Sequence, residues 1–243
     1  MNRRADPAEP DAIGPIRDAP TLPQPAGKRT SSGGSGPPGR AELGPTGTPA
    51  VRLPTMADEL LREHPVERRT VFQGRLLTVH DDTVETAGGS LAGREIVEHP
   101  GAVGIVADDG EGRVLLVRQW RHAIGRALWE IPAGTLTPGE EPEAAARREL
   151  AEETGYTAEV WERLASGPVA PGYSAEILHI FAARRLSPGE AHTDPDEHVV
   201  ARLFTAAEAE RLVAEDAVDV KTIAGLALAG FGIPAAGTDR LRR

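Results

Sequence analysis

Residues 134–156, GTLTPGEEPEAAARRELAEETGY, join a short glycine-bearing loop to a segment with strong helix signals. Pro142 suits the first turn of a helix, where its missing N–H costs no hydrogen bond. Gly155 suits the position just past a helix end, where a left-handed backbone is common. The sequence therefore predicts a helix over Pro142–Thr154 that begins soon after the loop.

Three glutamates of the predicted helix share one face on a 3.6-residue period: Glu149, Glu152 and Glu153. Like charges at this spacing repel each other by roughly 0.2–0.5 kcal/mol per pair, so another group must offset them. One interpretation is a solvated helix in which Arg147 and Arg148 supply the compensation. The other is a bound cation, which backbone carbonyls of the preceding loop could approach closely because its glycines have no side chain.

The complete spacing resembles the Nudix box. The matching positions, in chain order, are Gly134, Glu140, Arg148, Glu149, Leu150, Glu152, Glu153 and Gly155. Only Tyr156 departs, because the family usually has an aliphatic residue at that packing position. The resemblance implies an α+β fold: a Nudix-type α/β/α sandwich with a mixed sheet, here preceded by an N-terminal antiparallel β region.

The resemblance also implies a set of metal ligands for Mg²⁺ or Mn²⁺, consisting of Glu149, Glu152, Glu153 and the backbone carbonyl of Ala133. Family members usually pair the residues that match Glu140 and Arg148, and we assign Arg148 and Glu152 to the catalytic machinery. Hard cations prefer oxygen ligands, and they neutralise a diphosphate and lower the pKa of a bound water. The implied reaction is hydrolysis of the pyrophosphate bond of a nucleoside diphosphate linked to another group.

Residues before the box point to a subfamily. The runs Gln119-Trp120-Arg121 and Trp129-Glu130-Ile131-Pro132-Ala133-Gly134 resemble those of ADP-ribose pyrophosphatases. By this resemblance Arg121 contacts phosphate, Glu130 belongs to the substrate site, and Trp120 is a candidate for stacking on adenine. The alternative for Arg121 is a surface arginine that follows an edge strand.

Two loops after the box extend the resemblance. Residues 170–176 match the proline-bearing loop of ADP-ribose hydrolases, which predicts that Pro171 and Gly172 contact substrate. Residues 194–200 resemble the acidic loop that supplies the proposed general base, which is Glu197 in this chain. Asp196 or a glutamate of the box remains an alternative base.

Composition narrows the class of protein. The formal charge of −10 argues against a broad nucleic-acid surface, although an acidic protein can bind phosphate through divalent cations. The absence of cysteine excludes disulfides and thiolate metal sites. The longest uncharged run, 222–238, is shorter than the roughly 20 residues of a membrane helix and is broken by glycine and proline. We expect a soluble, cytoplasmic protein.

The chain divides into three predicted regions. Residues 1–55 hold 11 of the 21 prolines and no aromatic residue, a composition typical of a disordered segment. Met56 lies at the compositional break, so this segment is either a genuine tail or the product of a misassigned start. Residues 56–100 are predicted to be the N-terminal β region, and residues 101–243 the Nudix hydrolase domain. The resemblance implies a homodimer in which residues 71–98 cross the interface.

Patterns of alternating and apolar residues predict the remaining elements. Strands are expected at 71–78, 83–86, 94–98, 103–107, 114–120, 160–165, 177–183 and 199–204, with helices at 206–214 and 220–229. The function that the resemblance implies is hydrolysis of ADP-ribose to AMP and ribose 5-phosphate. The alternatives are another nucleotide sugar, such as GDP-mannose, and a non-catalytic module that senses ADP-ribose.

Overall fold

A computed structural model of the chain describes residues 59–191 and 198–231. The predicted disordered segment 1–55 and the acidic pair Asp196 and Glu197 lie outside these ranges. None of the described helices is long and apolar enough to cross a membrane.

The first three strands form an antiparallel sheet in the order β1 (His64–Gln73), β2 (Thr78–Glu85) and β3 (Leu91–Glu98). This confirms the predicted N-terminal β region, but several predicted boundaries are wrong, since β1 begins at His64 rather than at residue 71 and β3 at Leu91 rather than at residue 94. The expected strand 71–78 contains the turn between β1 and β2, and the expected break at residues 80–82 lies inside β2. Its buried Asp82 accepts hydrogen bonds from Arg68 on β1, so a polar run can remain in the strand.

Seven strands form the second sheet: β4 (Ala102–Asp108), β5 (Arg113–Arg121), β6 (Arg126–Glu130), β7 (Ala133–Thr135), β8 (Tyr156–Pro168), β9 (Ile177–Pro188) and β10 (Val200–Thr205). The main order is β10-β5-β4-β9-β8, while β6 pairs with β5 and β7 pairs with β4. Strands β4 and β9 are parallel and the other pairs are antiparallel, so the sheet is mixed as predicted. The short strands β6 and β7 were not predicted, because Pro132 interrupts their apolar pattern.

Helices cover both faces of this sheet. Helix α1 (Pro142–Thr154) packs on one face, while α2 (Ala206–Ala214) and α3 (Val220–Leu228) lie on the other. Consecutive residues of a strand point to opposite faces, so Leu115 joins the core under α1 and Leu116 joins the core under α2 and α3. The α/β/α arrangement is therefore confirmed.

The end of α1 depends on a glycine. Gly155 has a left-handed backbone with φ +74°, and its N–H donates to Ala151 O. A Cβ there would lie 2.7 Å from Ala191 N and 2.8 Å from Gly189 O, which are backbone atoms that cannot move aside cheaply.

We expect Gly155→Ala to lower the free energy of unfolding by at least about 2 kcal/mol, because the left-handed strain and the backbone clash add. Urea denaturation measures this effect. Gly110→Ala is the control, since Gly110 also has positive φ but has open space around its Cα. Equal losses in the two variants would contradict the role of the clash.

Candidate active site

A cavity of about 460 Å³ opens where the end of β5, strand β7 and the start of α3 meet. Its wall includes Arg121, Ala133, Gly134, Asp219 and Lys221. The first three were predicted from sequence as site residues or as part of the Nudix box, and the structure brings them together. Asp219 and Lys221 were not predicted.

Glu130, at the end of β6, anchors two cations at this cavity. Its side chain is 3% exposed, and it accepts hydrogen bonds of 2.7 Å from both Nε and Nη2 of Arg121. Lys221 Nζ lies 3.0 Å from its second oxygen. Burial alone would raise the pKa of Glu130, but the Arg121 hydrogen bonds and the charge of Lys221 outweigh burial and lower it. The hydrogen bond with Glu130 in turn raises the pKa of Arg121. Glu130 therefore stays ionised and holds the Arg121 fork at the cavity.

Two of the box glutamates, Glu149 and Glu153, lie against strand β7, which lines the cavity. Ala133 N–H donates to Glu153 Oε2 at 3.0 Å, and the Glu153 side chain is buried. The carboxylate of Glu149 occupies the space where a Cβ on Gly134 would stand, well inside van der Waals contact. Gly134 therefore makes a cradle for this carboxylate, and three of the four predicted ligands lie beside the cavity wall.

Arg148 pairs with several carboxylates of the box. Its Nε and Nη2 donate to Glu140 at 2.9 and 3.0 Å, so the pairing expected from the resemblance is present. Its Nη1 donates to Glu149 at 2.7 Å and to Glu152 at 2.9 Å. Arg148 therefore pairs with these two carboxylates, while Glu153 faces Ala133. Among the residues that the structure describes, no three acidic or histidine side chains converge on one point.

The chemistry of these donors nevertheless fits a hard divalent cation. Carboxylate oxygens and a backbone carbonyl are the ligands that Mg²⁺ and Mn²⁺ prefer, and the Gly134 cradle allows the Glu149 carboxylate to approach the backbone. Glu149, Glu152, Glu153 and Ala133 therefore remain the predicted ligands.

Three other predicted site residues, Trp120, Pro171 and Gly172, are exposed and do not line the cavity. The Trp120 side chain is 60% exposed, and Pro171 and Gly172 are exposed in the turn between β8 and β9. None of these three is among the described residues that line the cavity, although Val169 and Glu176 at the two ends of that turn are. The proposed base Glu197 lies outside the described residues.

Two hydrogen bonds that were not predicted order the start of helix α3, and one of them joins the helix to the residue after β6. Asp219 accepts from Thr222 N–H at 2.9 Å and caps the helix. The buried Thr222 hydroxyl accepts from Ile131 N–H, also at 2.9 Å. An Asp just before a predicted helix start is a recognisable capping signal. It does not reveal that the Thr222 hydroxyl contacts Ile131, which lies 91 positions away in the chain.

The Glu140–Arg148 pair predicts a pH dependence of stability. Hydrogen bonds from Arg148, followed by those from Thr137, lower the pKa of Glu140 from 4.5 to about 2. A lowered folded-state pKa stabilises the fold above the unfolded pKa, and this contribution is lost as pH falls from about 4.5 towards 2. We expect Glu140→Gln to flatten the dependence of unfolding free energy on pH below 4.5, measured by urea denaturation at several pH values. An unchanged slope would contradict the pairing.

Comparisons with known proteins give one matching family model, several relatives and a similar solved structure. A family model described as the NUDIX domain matches residues 98–224. An ADP-ribose pyrophosphatase of Bacillus subtilis (strain 168) is 40% identical over 165 residues, which cover 67% of this chain and 89% of the relative. A methanol dehydrogenase activator of Bacillus methanolicus is 39% identical over 168 residues, which cover 68% and 91%. The crystal structure of an ADP compounds hydrolase superimposes with a TM-score of 0.62 and 25% identity, over 71% of this chain and 97% of that one.

Proposed function

We propose that this chain, which belongs to the Nudix family and is a Nudix hydrolase, cleaves the pyrophosphate bond of ADP-ribose to give AMP and ribose 5-phosphate. The observation that supports the proposal is that the predicted phosphate-binding arginine and the predicted metal ligands lie at one cavity. Arg121, locked by the buried Glu130, lines the same cavity as Ala133 and Gly134, against which the box glutamates lie.

Each side chain of the site has its own role in the proposed reaction. Glu130 orients the Arg121 guanidinium, whose planar fork suits phosphate oxygens, and this binding places the diphosphate beside strand β7. Arg148 positions Glu149 and Glu152 from the outer side. We assign acceptance of the water proton to Glu197, with Asp196 as the alternative.

The ligand set described above would hold the divalent cation, which we propose is Mg²⁺. When bound, the cation supplies neutralisation of the diphosphate charge and a lowered pKa for the attacking water.

ADP-ribose is favoured over other nucleotide sugars because of the similarities to the Bacillus subtilis ADP-ribose pyrophosphatase and to the ADP compounds hydrolase. The chain is similar to a methanol dehydrogenase activator to nearly the same degree, so the substrate is tested directly with the panel described below.

We also propose that the three-stranded sheet forms a homodimer. Every residue of β1 is exposed, including the apolar Val66, Val71 and Phe72, which are 57%, 49% and 56% exposed. A strand with apolar side chains open to water is a site for association. Sedimentation equilibrium is expected to give twice the chain mass at micromolar concentration, and a monomer would contradict the proposal.

The substrate is tested with a panel of ADP-ribose, GDP-mannose, NADH and diadenosine polyphosphates in the presence of Mg²⁺. We expect ADP-ribose to show the highest kcat/KM, with AMP and ribose 5-phosphate as products. Preference for another compound would contradict only the substrate assignment. Binding of ADP-ribose without turnover would favour the sensing module.

A further inference from the structure

Lysine is nearly absent from this chain. Of the 27 lysine and arginine residues only Lys28 and Lys221 are lysines, and Lys221 is the single lysine among the residues that the structure describes. The chain uses arginine at almost every other basic position, yet it has an ammonium group in the wall of the cavity. A lysine presents a compact charge with three rotatable donors, whereas an arginine presents a planar fork. The cavity wall therefore has an ammonium group at position 221, where the chain otherwise uses a guanidinium.

Lys221 is held firmly at the first turn of α3. Its Nζ lies 3.0 Å from Glu130 Oε2 and 3.1 Å from Asp219 Oδ2, and its side chain is 18% exposed. Of its three donors, two face these carboxylates in the described structure. The third donor is available to a ligand in the cavity.

Glu130 places Lys221 beside Arg121. Both oxygens of the carboxylate already accept from the Arg121 fork, and one of them also faces Lys221. One negative charge therefore holds two cations, and both cations line the cavity. An anion with oxygens on two adjacent phosphorus atoms matches this arrangement.

We propose that Lys221 is a second phosphate-binding residue, which binds the phosphate of the diphosphate that Arg121 does not bind. This inference rests on the proposed function, since it names a further binding residue for the same substrate. The diphosphate then lies across Glu130, with one phosphate on the guanidinium and the other on the ammonium.

A purely structural role is the competing explanation, in which Lys221 only ties α3 to the sheet. Two other contacts already make that connection, namely Ile131 N–H donating to the Thr222 hydroxyl and Trp129 N–H donating to Ala217 O just before the helix. Loss of the Lys221 ammonium should therefore change substrate binding far more than it changes the melting temperature.

The absence of cysteine allows a test in which only the charge at position 221 varies. Lys221→Cys introduces a unique thiol, which is alkylated in the unfolded chain before refolding. Bromoethylamine restores a positive charge on a side chain of lysine length, iodoacetamide adds a neutral amide, and iodoacetate adds a negative carboxylate. Mass spectrometry verifies each product, and KM, kcat and Tm are then measured for ADP-ribose with Mg²⁺.

We expect the neutral derivative to raise KM by about 10- to 100-fold, the scale of losing a hydrogen bond to a charged group. The negative derivative should raise KM further, and the aminoethyl derivative should return KM to within about threefold of the original chain. In the neutral and aminoethyl derivatives kcat should change less than KM, and Tm should stay within a few degrees. The negative derivative places a further carboxylate beside Glu130 and Asp219, so its Tm is expected to fall.

The control is Arg211→Cys with the same three reagents, because Arg211 is an exposed cation on α2 outside the cavity wall. Its derivatives should all keep the original KM. Equal KM values for the three charges at position 221, or a KM loss in the neutral derivative that follows a matching fall in Tm, would overturn the inference alone. Absence of turnover by the original chain would overturn the proposed function, and the inference would fall with it.

Discussion

Glu153→Gln is expected to lower kcat by about a thousandfold while the protein stays folded, a loss on the scale of removing one electrostatic stabiliser from a transition state. Glu153 lies on the inner face of α1 and is only 6% exposed. Its Oε2 accepts from Ala133 N–H at 3.0 Å, so the side chain connects the helix to the strand that borders the cavity.

The substitution separates two roles of this side chain. A glutamine oxygen can still accept the Ala133 N–H, so the contact between α1 and β7 is retained and Tm should change by only a few degrees. The amide has no negative charge, however, and is a much poorer ligand for a hard cation than a carboxylate. Turnover should therefore fall without loss of structure.

The matched control is Glu143→Gln in the first turn of the same helix. Glu143 is 52% exposed and pairs with Arg147 outside the site. We expect it to keep the original kcat, since an exposed ion pair contributes little to stability and nothing to the cavity. Normal turnover by Glu153→Gln would remove this residue from the predicted metal ligands.

How well the sequence predicted each element depended on whether its signals were local. Helix α1 was predicted with its exact bounds because Pro142 and Gly155 mark its ends within one short segment. Strand β2 was misjudged because two of its polar residues form hydrogen bonds with residues on β1. Asp82 pairs with Arg68, and His80 shares a hydrogen bond with Thr70. Such cross-strand partners are invisible to a pattern read along one strand.

The same distinction applies to the candidate site. The box spacing predicted the Glu140–Arg148 pair and the glutamates near Ala133, because loop and helix are adjacent in sequence. The partnership of Glu130 with Lys221 joins residues 91 positions apart and has no local signal. A long-range contact of this kind follows from the placement of α3 on the sheet, which a single sequence does not specify.

Gly134→Ala is expected to lower kcat/KM by about a hundredfold or more with little loss of stability. The added Cβ would take the space of the Glu149 carboxylate. This carboxylate is the far end of a flexible side chain, so it can rotate away at small cost in folding free energy. It cannot rotate away and keep its place against Gly134, and a displacement of about 1 Å at a reacting site can cost about a hundredfold in rate.

Gly93→Ala is the control for this variant. Gly93 is also a strand residue, in β3, and an added Cβ there would meet nothing within 4 Å. Steady-state kinetics and thermal unfolding of both variants measure activity and stability separately. A large fall in Tm for Gly134→Ala would mean that the backbone, not the Glu149 side chain, absorbs the clash. Unchanged kinetics would mean that turnover does not need the Glu149 carboxylate in the cradle, and Glu149 would then leave the predicted ligand set.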